Sequence, residues 1–418
     1  MEQLNLTRRQ VVLGLLGVGA LGAVGGALRW HPWDTLLDAA AQAGASSAGG
    51  NALVVITLAG GNDGLNTVVP YTDSAYLAVR QDMHFGPNEV LPLTDGLGLH
   101  PELTGLKALW DAGSLAIING VGYPQPNRSH FRSMDIWQSG VPDRQEATGW
   151  LGRWLDAQSP SPMHAVSIGT QIPLLLTGSK RRPAAIPATG VAIPTMINEA
   201  YGELGAPDTT RGAWENVYRT AMRDLAAIQR DVHNVLPANV SKGGPGTTTT
   251  TTNTGVAAGR RAGNLRGQLD AVRAMLAAKI PTSVFHVMLG GFDTHATEKD
   301  THANLMREFG DAVQTFLDQT YALGQPVTVV AYSEFGRRLA LNASNGTDHG
   351  TAAPMFVAGN GVRSGLYGEY PSLTSLDDGD LKYTTDFRAV FGTLAARVLH
   401  VDPAQVLTGP QRDLGFLQ

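Results

Sequence analysis

Apolar runs that stop at glycine pairs or polar residues recur along the chain. The first is ALVVITL at 52–58, which stops just before a glycine pair. Three further runs repeat the pattern, SLAIINGVGY, TSVFHVMLGGFDTH and PVTVVAYSEFGRR, at 114–123, 282–295 and 326–338. Continuous apolar runs bounded by turn residues are typical of strands that are buried in a parallel sheet.

Segments with helical spacing separate these runs. Residues 101–113, 301–319 and 384–399 place apolar side chains three and four positions apart, and 124–140 has the pattern of a loop that enters a helix. Strands that alternate with helices form a mostly parallel sheet covered on both faces. We therefore predict an α/β fold with a doubly wound, mostly parallel sheet and helices on both of its faces.

The middle of the chain breaks this alternation. Residues 212–236 and 257–280 have the spacing of two amphipathic helices, and a threonine-rich tract at 241–255 lies between them. A tract of this composition cannot form a packed core, so we expect a flexible loop there. The prediction is a helical hairpin inserted at about 205–280 into a single domain that covers 44–418.

Composition narrows the possible functions. Of the 418 residues 43% are hydrophobic, which is enough for a substantial core. The net charge of −5 gives no basis for nucleic-acid binding. The sequence contains no cysteine, which excludes disulfides, thiolate metal ligands and cysteine nucleophiles. Any metal ion would therefore have to bind His, Asp and Glu side chains.

The first residues have the pattern of an export signal. Arg8 and Arg9 precede an apolar, glycine-rich run at 11–28, and small residues that suit cleavage follow at 39–45. This arrangement is typical of a twin-arginine signal, so we expect 1–43 to be removed during export through the twin-arginine translocase. The mature protein would then be periplasmic or extracellular and would not span the membrane. The alternative is a retained membrane anchor, because the apolar run approaches the minimum length for a span.

Acidic and histidine residues stand at the predicted carboxyl ends of strands or in nearby turns. Ligands of open α/β sheets bind at this edge, and two adjacent metal ions need several anionic ligands. We therefore predict one or two divalent ions of zinc, manganese, magnesium or calcium. The predicted metal ligands are Asp63, Asp293, His295, Glu334, Asp348 and His349.

Each of these ligands also has a purely structural interpretation. Asp63 suits a turn after its glycine pair, and Asp293 or the adjacent Thr294 suits a helix cap. Asp348 and His349, in NGTDHG, suit an Asx turn beside an exposed histidine. The sequence leaves both interpretations open.

The structural interpretation of Glu334 is an ion pair with Arg337 or Arg338, which would contribute little at the surface. His302 is a weaker candidate ligand, since it lies one turn into a predicted helix. His286 lies within a predicted strand and is expected in the core or behind the site.

Ser129 is the candidate nucleophile. It follows a predicted strand and precedes a predicted helix, whose N-terminal N–H groups would favour a developing anion. Arg128 and Arg132 stand close enough in sequence to attract phosphate or sulfate. The alternative for Ser129 is a helix cap. His130 suits a metal ligand or a proton donor, or alternatively a capping or packing residue.

Seven motifs together resemble the bacterial, twin-arginine-exported family called domain of unknown function 1501. They are TRR, LAGGNDGLNTVVPY, SHFRSMDIWQSG, GGFDTH, SEFGRR, NGTDHG and TDFRAVFGTL. The resemblance covers nearly the whole mature chain and implies membership of the alkaline phosphatase and sulfatase-like superfamily. That superfamily implies a doubly wound sheet with a one-metal or two-metal site at the strand ends.

The same resemblance implies roles by motif position. Asp63 resembles the first-strand metal aspartate of the superfamily, and Ser129 stands in the region of its Ser or Thr nucleophile. Asp293 and His295 resemble its later metal ligands, and His349 resembles its final histidine.

Three features depart from the superfamily pattern. Asp293 and His295 are two residues apart, where a four-residue offset is more frequent. Glu334 follows a serine at a strand end that more often carries an Asp-His pair. Ser129 is followed by HFR rather than by x-Pro-x-Arg, which argues against a formylglycine sulfatase.

These observations predict an exported, metal-dependent hydrolase of phosphate or sulfate esters that acts on a small-molecule or polymer substrate. Ser129, His130 and Arg132 are the predicted catalytic residues. The alternative is a non-catalytic, metal-stabilised secreted protein that functions in binding or surface assembly. A third hypothesis replaces the serine with metal-activated water as the nucleophile.

Overall fold

The structure is a computed structural model of the protein. It describes residues 51–94, 96–158, 161–190, 195–206, 208, 210, 212–233, 235–236 and 264–418. The predicted signal at 1–43 and the threonine-rich tract at 241–255 lie outside the described residues, so both stay predictions. Among the described residues, no helix is long and apolar enough to cross a membrane.

Fourteen strands are present in the described part of the chain. In chain order they are β1 (Ala52–Ala59), β2 (Val68–Val69), β3 (Leu91–Pro92), β4 (Gly98–Leu99), β5 (Leu115–Gly122), β6 (Ala165–Ile168), β7 (Ala184–Ile186), β8 (Val284–Gly290), β9 (Val327–Tyr332), β10 (Arg337–Leu341), β11 (Thr347–His349), β12 (Ala353–Gly359), β13 (Gly365–Tyr367) and β14 (Thr385–Asp386).

Ten α-helices alternate with these strands over the same residues. They are α1 (Gly64–Thr67), α2 (Ser74–Val79), α3 (Thr104–Asp111), α4 (His130–Ser139), α5 (Trp150–Asp156), α6 (Thr195–Leu204), α7 (Ala213–Val232), α8 (Leu265–Ala277), α9 (Glu298–Ala322) and α10 (Phe387–Arg397). Short 3-10 turns occur at Gln81–Met83, Pro162–His164, Leu174–Leu176 and Pro403–Gln405.

The main sheet has nine strands in the order β13-β5-β12-β9-β1-β8-β6-β7, and β14 also pairs with β5. β12 runs antiparallel to both of its neighbours, and every other pairing in this sheet is parallel. The predicted α/β class and mostly parallel sheet are therefore confirmed. β10 and β11 form a small hairpin, and β2, β4 and β3 form a second small sheet.

Strand β1 shows why helices cover both faces of the main sheet. Val54 and Ile56 are fully buried in one core cluster, which also contains side chains of α3, α8 and α9. The alternate residues Leu53 and Val55 are buried in a second cluster with side chains of α4, α5 and α10. Successive side chains of a strand point to opposite faces, and each buried Val or Leu contributes about 1.5–3 kcal/mol.

The two helices predicted around the threonine-rich tract each pack against another helix. α7 contacts α6, whereas α8 contacts α9 and the sheet strands β6 and β8. α8 therefore belongs to the helical layer on the sheet. Where an insertion would begin and end in this region stays a prediction.

The sheet order brings distant segments to one edge. β9, β1 and β8 are parallel neighbours, so the segments that follow them leave from the same edge. β12 is antiparallel to β9, so the segment before β12 arrives at that edge as well. β5 is antiparallel to β12 and adds the segment that leads into α4.

The glycine pair after β1 lets these segments touch. Gly60 has a φ of +123°, and a Cβ there would lie 2.4 Å from the backbone nitrogen of Asp293. Gly61 has a φ of +78°, and a Cβ would lie 2.3 Å from the ring of Phe335. Only glycine fits both the backbone conformation and the close approach.

A buried ion pair holds the segment after β1. Arg80 Nη1 and Nη2 donate to the two carboxylate oxygens of Asp63 at 2.5 and 2.9 Å, and neither side chain is exposed. The same guanidinium donates to the carbonyl oxygens of Arg338 and Leu339. Burial disfavours the ionised carboxylate, but the charge and hydrogen bonds of Arg80 outweigh it and hold the pKa of Asp63 below its ordinary value.

Arg80→Met leaves the Asp63 carboxylate buried without a cation. We expect a loss of about 3–5 kcal/mol in the free energy of unfolding, measured by urea denaturation. Adding Asp63→Asn to this variant should restore part of the loss, because the uncompensated charge is then removed. Lys107→Met is the control, since it breaks an exposed pair with Asp111 and should cost under about 1 kcal/mol. An Arg80→Met variant no less stable than this control would contradict the prediction.

Glu298, the first residue of α9, is a buried carboxyl group beside the ion pair. Its Oε2 accepts a hydrogen bond from Thr347 Oγ1 at 2.7 Å, and its buried Oε1 has no hydrogen-bond partner in the described part of the chain. Burial raises the pKa of Glu298 to about 8, and the negative charge of Asp63 adds to the shift. The carboxyl group is therefore mostly protonated at neutral pH.

The raised pKa of Glu298 predicts a pH-dependent stability. The folded protein retains a proton that the unfolded chain releases between the ordinary pKa of 4.5 and about 8, so stability falls as pH rises through this window. Glu298→Gln imitates the protonated acid and should flatten this fall by an amount on the order of a few kcal/mol. Urea denaturation of both proteins at pH 5, 6.5 and 8 measures it. If the free energy of unfolding changed with pH by the same amount in both proteins, the prediction would be refuted.

Candidate metal centre

Three imidazoles converge on one carboxylate at the shared sheet edge. The Nε2 atoms of His295, His349 and His130 lie 3.0, 3.1 and 3.5 Å from Asp293 Oδ1. The Nε2 atoms of His295 and His349 are 2.9 Å apart. We call these four residues the three-histidine cluster.

Each member of the cluster comes from a segment that the sheet brings to this edge. Asp293 and His295 follow β8, and His349 ends β11 just before the antiparallel strand β12. His130 is the first residue of α4, which follows β5. The order of the strands, rather than closeness in sequence, therefore assembles the cluster.

The second ring nitrogen of each histidine faces an oxygen atom. His130 Nδ1 lies 2.8 Å from Glu334 Oε1, and His349 Nδ1 lies 2.9 Å from the carbonyl oxygen of Arg128. His295 Nδ1 lies 3.5 Å from Asp348 Oδ1. An acceptor at Nδ1 fixes the proton there and directs the Nε2 lone pair toward a metal. All three rings have this arrangement.

The surroundings favour the ionised form of Asp293 and the neutral form of His349, which are the forms that bind a metal. Burial opposes ionisation of Asp293, but the charge of Arg337 and the hydrogen bond that it donates hold the pKa of the carboxyl group below its ordinary value. Burial lowers the pKa of His349, which favours the neutral ring. The hydrogen bond that His130 Nδ1 donates to the Glu334 carboxylate raises the pKa of His130, so a cation that binds this ring competes with a proton.

The donor atoms fit a single ion, because three of them lie close together and His295 Nε2 lies within 3.0 Å of two of those three, Asp293 Oδ1 and His349 Nε2. Ligand atoms of His130, Asp293 and His349 all lie within 4.8 Å of one another. Ligands about 2.0–2.1 Å from a tetrahedral zinc ion are about 3.3 Å apart, close to the separations in the cluster. Among the described residues, His130 Nε2 is buried and has no hydrogen-bond partner, as expected for an atom whose partner is a bound ion.

The structure brings three of the six predicted ligands directly together, namely Asp293, His295 and His349. Asp63 does not join them, because Arg80 binds both of its carboxylate oxygens. Glu334 and Asp348 contact the cluster only through the Nδ1 atoms of His130 and His295. We therefore assign these two carboxylates to orienting imidazoles rather than to direct ligation.

Glu334 does not form an ion pair with a neighbouring arginine. It is buried, and its carboxylate accepts hydrogen bonds from the Gly60 N–H at 2.9 Å and from Ser333 Oγ at 3.1 Å. Arg337 instead pairs with Asp293, and Arg338 pairs with Asp380. The Glu334 carboxylate is therefore held between the ends of β1 and β9.

The surrounding contacts show which residue caps α9 and where His302 and His286 lie. The N-cap of α9 is Thr297, so neither Asp293 nor Thr294 caps that helix. His302 is buried 3.1 Å from Asn62 Oδ1 and stands outside the cluster. His286 lies inside the sheet between the hydroxyl groups of two other residues, as predicted for a core residue.

Ser129 is exposed at the N-cap position of α4, next to His130 in sequence. Its side chain makes no capping hydrogen bond, so the hydroxyl does not serve as a helix cap. Arg132 points elsewhere, because its Nη2 donates to the carbonyl oxygens of Pro142 and Arg144. The structure therefore gives no support for Arg132 as an anion-binding residue.

Two residues of the site were not predicted from the sequence. Arg337 donates to Asp293 Oδ1 at 2.8 Å from a fully buried position. The ring of Phe335 lies 4.9 Å from that of His130 and 4.7 Å from that of His349, measured between centroids. Both residues belong to SEFGRR, but only the tertiary contacts show which carboxylate and which rings they touch.

The family model described as "Protein of unknown function (DUF1501)" matches residues 115–412. This match confirms the resemblance that the motifs indicated. No curated protein matches the chain.

Several solved structures are distantly similar. The zinc complex of the C-terminal periplasmic domain of EcEptC from Escherichia coli is 11% identical, with 87% of this chain and 88% of that chain covered and a TM-score of 0.38. A protein in the alkaline phosphatase superfamily from Vibrio parahaemolyticus is 10% identical, with coverages of 88% and 70% and a TM-score of 0.36. The lipoteichoic acid synthase LtaP from Listeria monocytogenes has a TM-score of 0.33 at 10% identity, with coverages of 88% and 75%.

The geometry predicts one equivalent of zinc per chain, measured by mass spectrometry of the metal content after dialysis. His349→Ala should weaken zinc binding more than about 100-fold in calorimetric titration, and Asp348→Asn should weaken it about 10-fold to 100-fold by releasing the His295 ring. His400→Asn, which removes an exposed histidine outside the cluster, is the control. Two tightly bound equivalents, or unchanged affinity in His349→Ala, would be incompatible with this assignment.

Proposed function

We propose a function from the premise that this chain belongs to the DUF1501 family, whose description assigns no activity. The proposal is an exported, metal-dependent hydrolase of phosphate or sulfate esters. One observation carries it: three Nε2 atoms and a carboxylate converge beside an exposed serine at a helix N-terminus. This combination provides a cation site, a nucleophile and anion-binding N–H groups within one region.

His130, His295, His349 and Asp293 would hold the ion. The separations of their ligand atoms and the unpartnered Nε2 of His130 support a single ion with nitrogen-rich coordination, for which zinc is a suitable metal. When bound, such an ion withdraws electrons from an ester oxygen and neutralises charge that develops on it.

Ser129 is the proposed nucleophile. Its hydroxyl would release its proton to solvent as Oγ forms a bond to phosphorus or sulfur and the bond to the ester oxygen breaks. The alcohol would take up a proton from solvent as it leaves. Water would then attack the resulting serine ester and release phosphate or sulfate. The exposed hydroxyl and the lack of a capping bond support this role.

Backbone N–H groups are the proposed anion binders. The first N–H groups of a helix have no partner within that helix, and the helix dipole favours negative charge there. α4 presents these groups at His130 and the residues after it. Arg132 is engaged with carbonyl oxygens, so the main chain of α4 has the larger part in binding the non-reacting oxygens.

Export is part of the proposal and rests on the sequence pattern at Arg8 and Arg9. A periplasmic or extracellular location would place the site in contact with external esters, and the twin-arginine translocase would be the partner during export.

The catalytic assignment predicts a large loss of activity for two substitutions. With p-nitrophenyl phosphate and p-nitrophenyl sulfate as substrates, Ser129→Ala and Asp293→Asn should each lower kcat/KM about a thousandfold or more, because each removes a group needed in the transition state. Ser179→Ala, which removes an exposed hydroxyl outside the cluster, should leave turnover within about twofold.

The outcomes separate the three hypotheses. Equal turnover in wild type and Asp293→Asn would exclude the metal-dependent hydrolase. Activity retained in Ser129→Ala but lost in Asp293→Asn would replace the serine with metal-activated water. Bound zinc with no turnover of any ester would favour the non-catalytic binding protein.

A further inference from the structure

A cleft of about 840 Å³ opens beside the three-histidine cluster. Arg128 and Phe335 line it and also touch the cluster. The carbonyl oxygen of Arg128 accepts a hydrogen bond from His349, and the Phe335 ring packs against the rings of His130 and His349. One substrate could therefore occupy both places, with its ester group at the cluster and the rest of the molecule in the cleft. The volume lies within the range of about 300–1,000 Å³ typical of small-molecule sites.

Two segments form the facing walls of the cleft. One wall is 122–128, which follows β5, and the other is 377–383, which precedes β14. Gln125 and Asp378, on opposite walls, have φ values of 54° and 51°. This left-handed conformation is unfavourable for residues other than glycine, so each wall keeps an unusual backbone shape.

The charges that line the cleft are nearly balanced. Three carboxylates, those of Asp377, Asp378 and Asp380, face it together with the cations Arg128 and Lys382. Arg128 forms ion pairs with Asp378 and Asp380.

Arg338 supplies the remaining cation. It lies behind the same wall and pairs with Asp378 at 3.5 Å and with Asp380 at 3.2 Å. Lys382 Nζ donates to Ser375 Oγ at 3.1 Å. The three carboxylates are thus matched by three cations once Arg338 is counted, and the lining residues alone carry one carboxylate more than cations.

This balance excludes several classes of ligand. A hydrocarbon chain would remove water from the paired charges without replacing their hydrogen bonds, which is unfavourable. A strongly cationic or anionic group would meet a like charge on one side and an already paired charge on the other. A neutral group with many hydroxyls does not have these costs, because each hydroxyl both donates and accepts.

We propose that the cleft binds the carbohydrate part of a phosphorylated or sulfated saccharide. The proposal rests on the proposed hydrolase function and specifies the alcohol that leaves. The exposed amides of Gln125 and Asn127 and the exposed carboxylate of Asp378 bind sugar hydroxyls. Paired carboxylates and guanidinium groups keep spare lone pairs and N–H groups for the same purpose. The partly exposed ring of Tyr383 packs against the C–H face of a sugar ring.

Kinetics with the zinc-loaded protein test the proposal. The substrates are hexose 6-phosphates and hexose 6-sulfates, compared with p-nitrophenyl phosphate and p-nitrophenyl sulfate. We expect kcat/KM for the sugar ester to exceed that of the matching aryl ester at least about tenfold after correction for leaving-group reactivity. The phosphate and sulfate series show which ester the site prefers.

Asp378→Asn should lower the ratio of sugar-ester to aryl-ester kcat/KM about tenfold, since it weakens hydrogen bonds to the hydroxyls. Asp111→Asn is the matched control, because it changes an exposed carboxylate in an ion pair on α3 and should leave the ratio unchanged. An unchanged ratio in Asp378→Asn would overturn the role of this wall.

Binding of unesterified saccharides separates this inference from the proposed function. Saturation-transfer difference NMR with maltose, cellobiose and chitobiose detects sugar contacts without turnover. Saccharide binding without hydrolysis of any ester would support the cleft and overturn the hydrolase. Aryl-ester hydrolysis with neither saccharide binding nor a preference for sugar esters would support the hydrolase and overturn the cleft assignment.

Discussion

The site depends on one buried guanidinium group. Arg337, which is fully shielded from solvent, donates to the carbonyl oxygens of Gly61, Phe292 and Thr347 and to the carboxylate of Asp293. These acceptors belong to the segments after β1 and β8 and to β11. A buried cation needs every donor satisfied, because an unpaired one is costly in a low-dielectric interior. The requirement therefore ties three chain segments together at the edge where the histidines meet.

Two arginines give the two aspartates of this edge different roles. Arg80 takes both oxygens of Asp63 in a buried pair, which leaves that carboxylate little capacity for a metal. Arg337 contacts only Oδ1 of Asp293, whose side chain is 29% exposed and faces three imidazoles. The different arginine contacts thus explain why one strand-end aspartate stabilises the fold and the other belongs to the three-histidine cluster.

The direction of the antiparallel strand β12 also determines which residues reach the site. Reversal of this one strand puts its N-terminal end at the carboxyl edge of β9, so His349 reaches the cluster from the preceding hairpin. The same edge receives Arg128 from the segment after β5. The backbone of Arg128 holds the His349 ring, and its side chain lines the cleft. The cluster and the cleft therefore share a wall.

The sequence determined the α/β class, the four long parallel strands and a mixed set of acidic and histidine residues near their ends, because apolar runs and turn residues are local signals. It also indicated Asp293 and His295 through their positions after a strand, and His349 through its position in a turn ahead of an apolar run. Only the tertiary structure decided that Glu334 and Asp348 orient imidazoles and that Asp63 belongs to Arg80. These roles depend on which atoms meet across separations of up to about two hundred residues, such as His130 and Glu334. Local spacing contains no information on such contacts, since the order and direction of the strands create them.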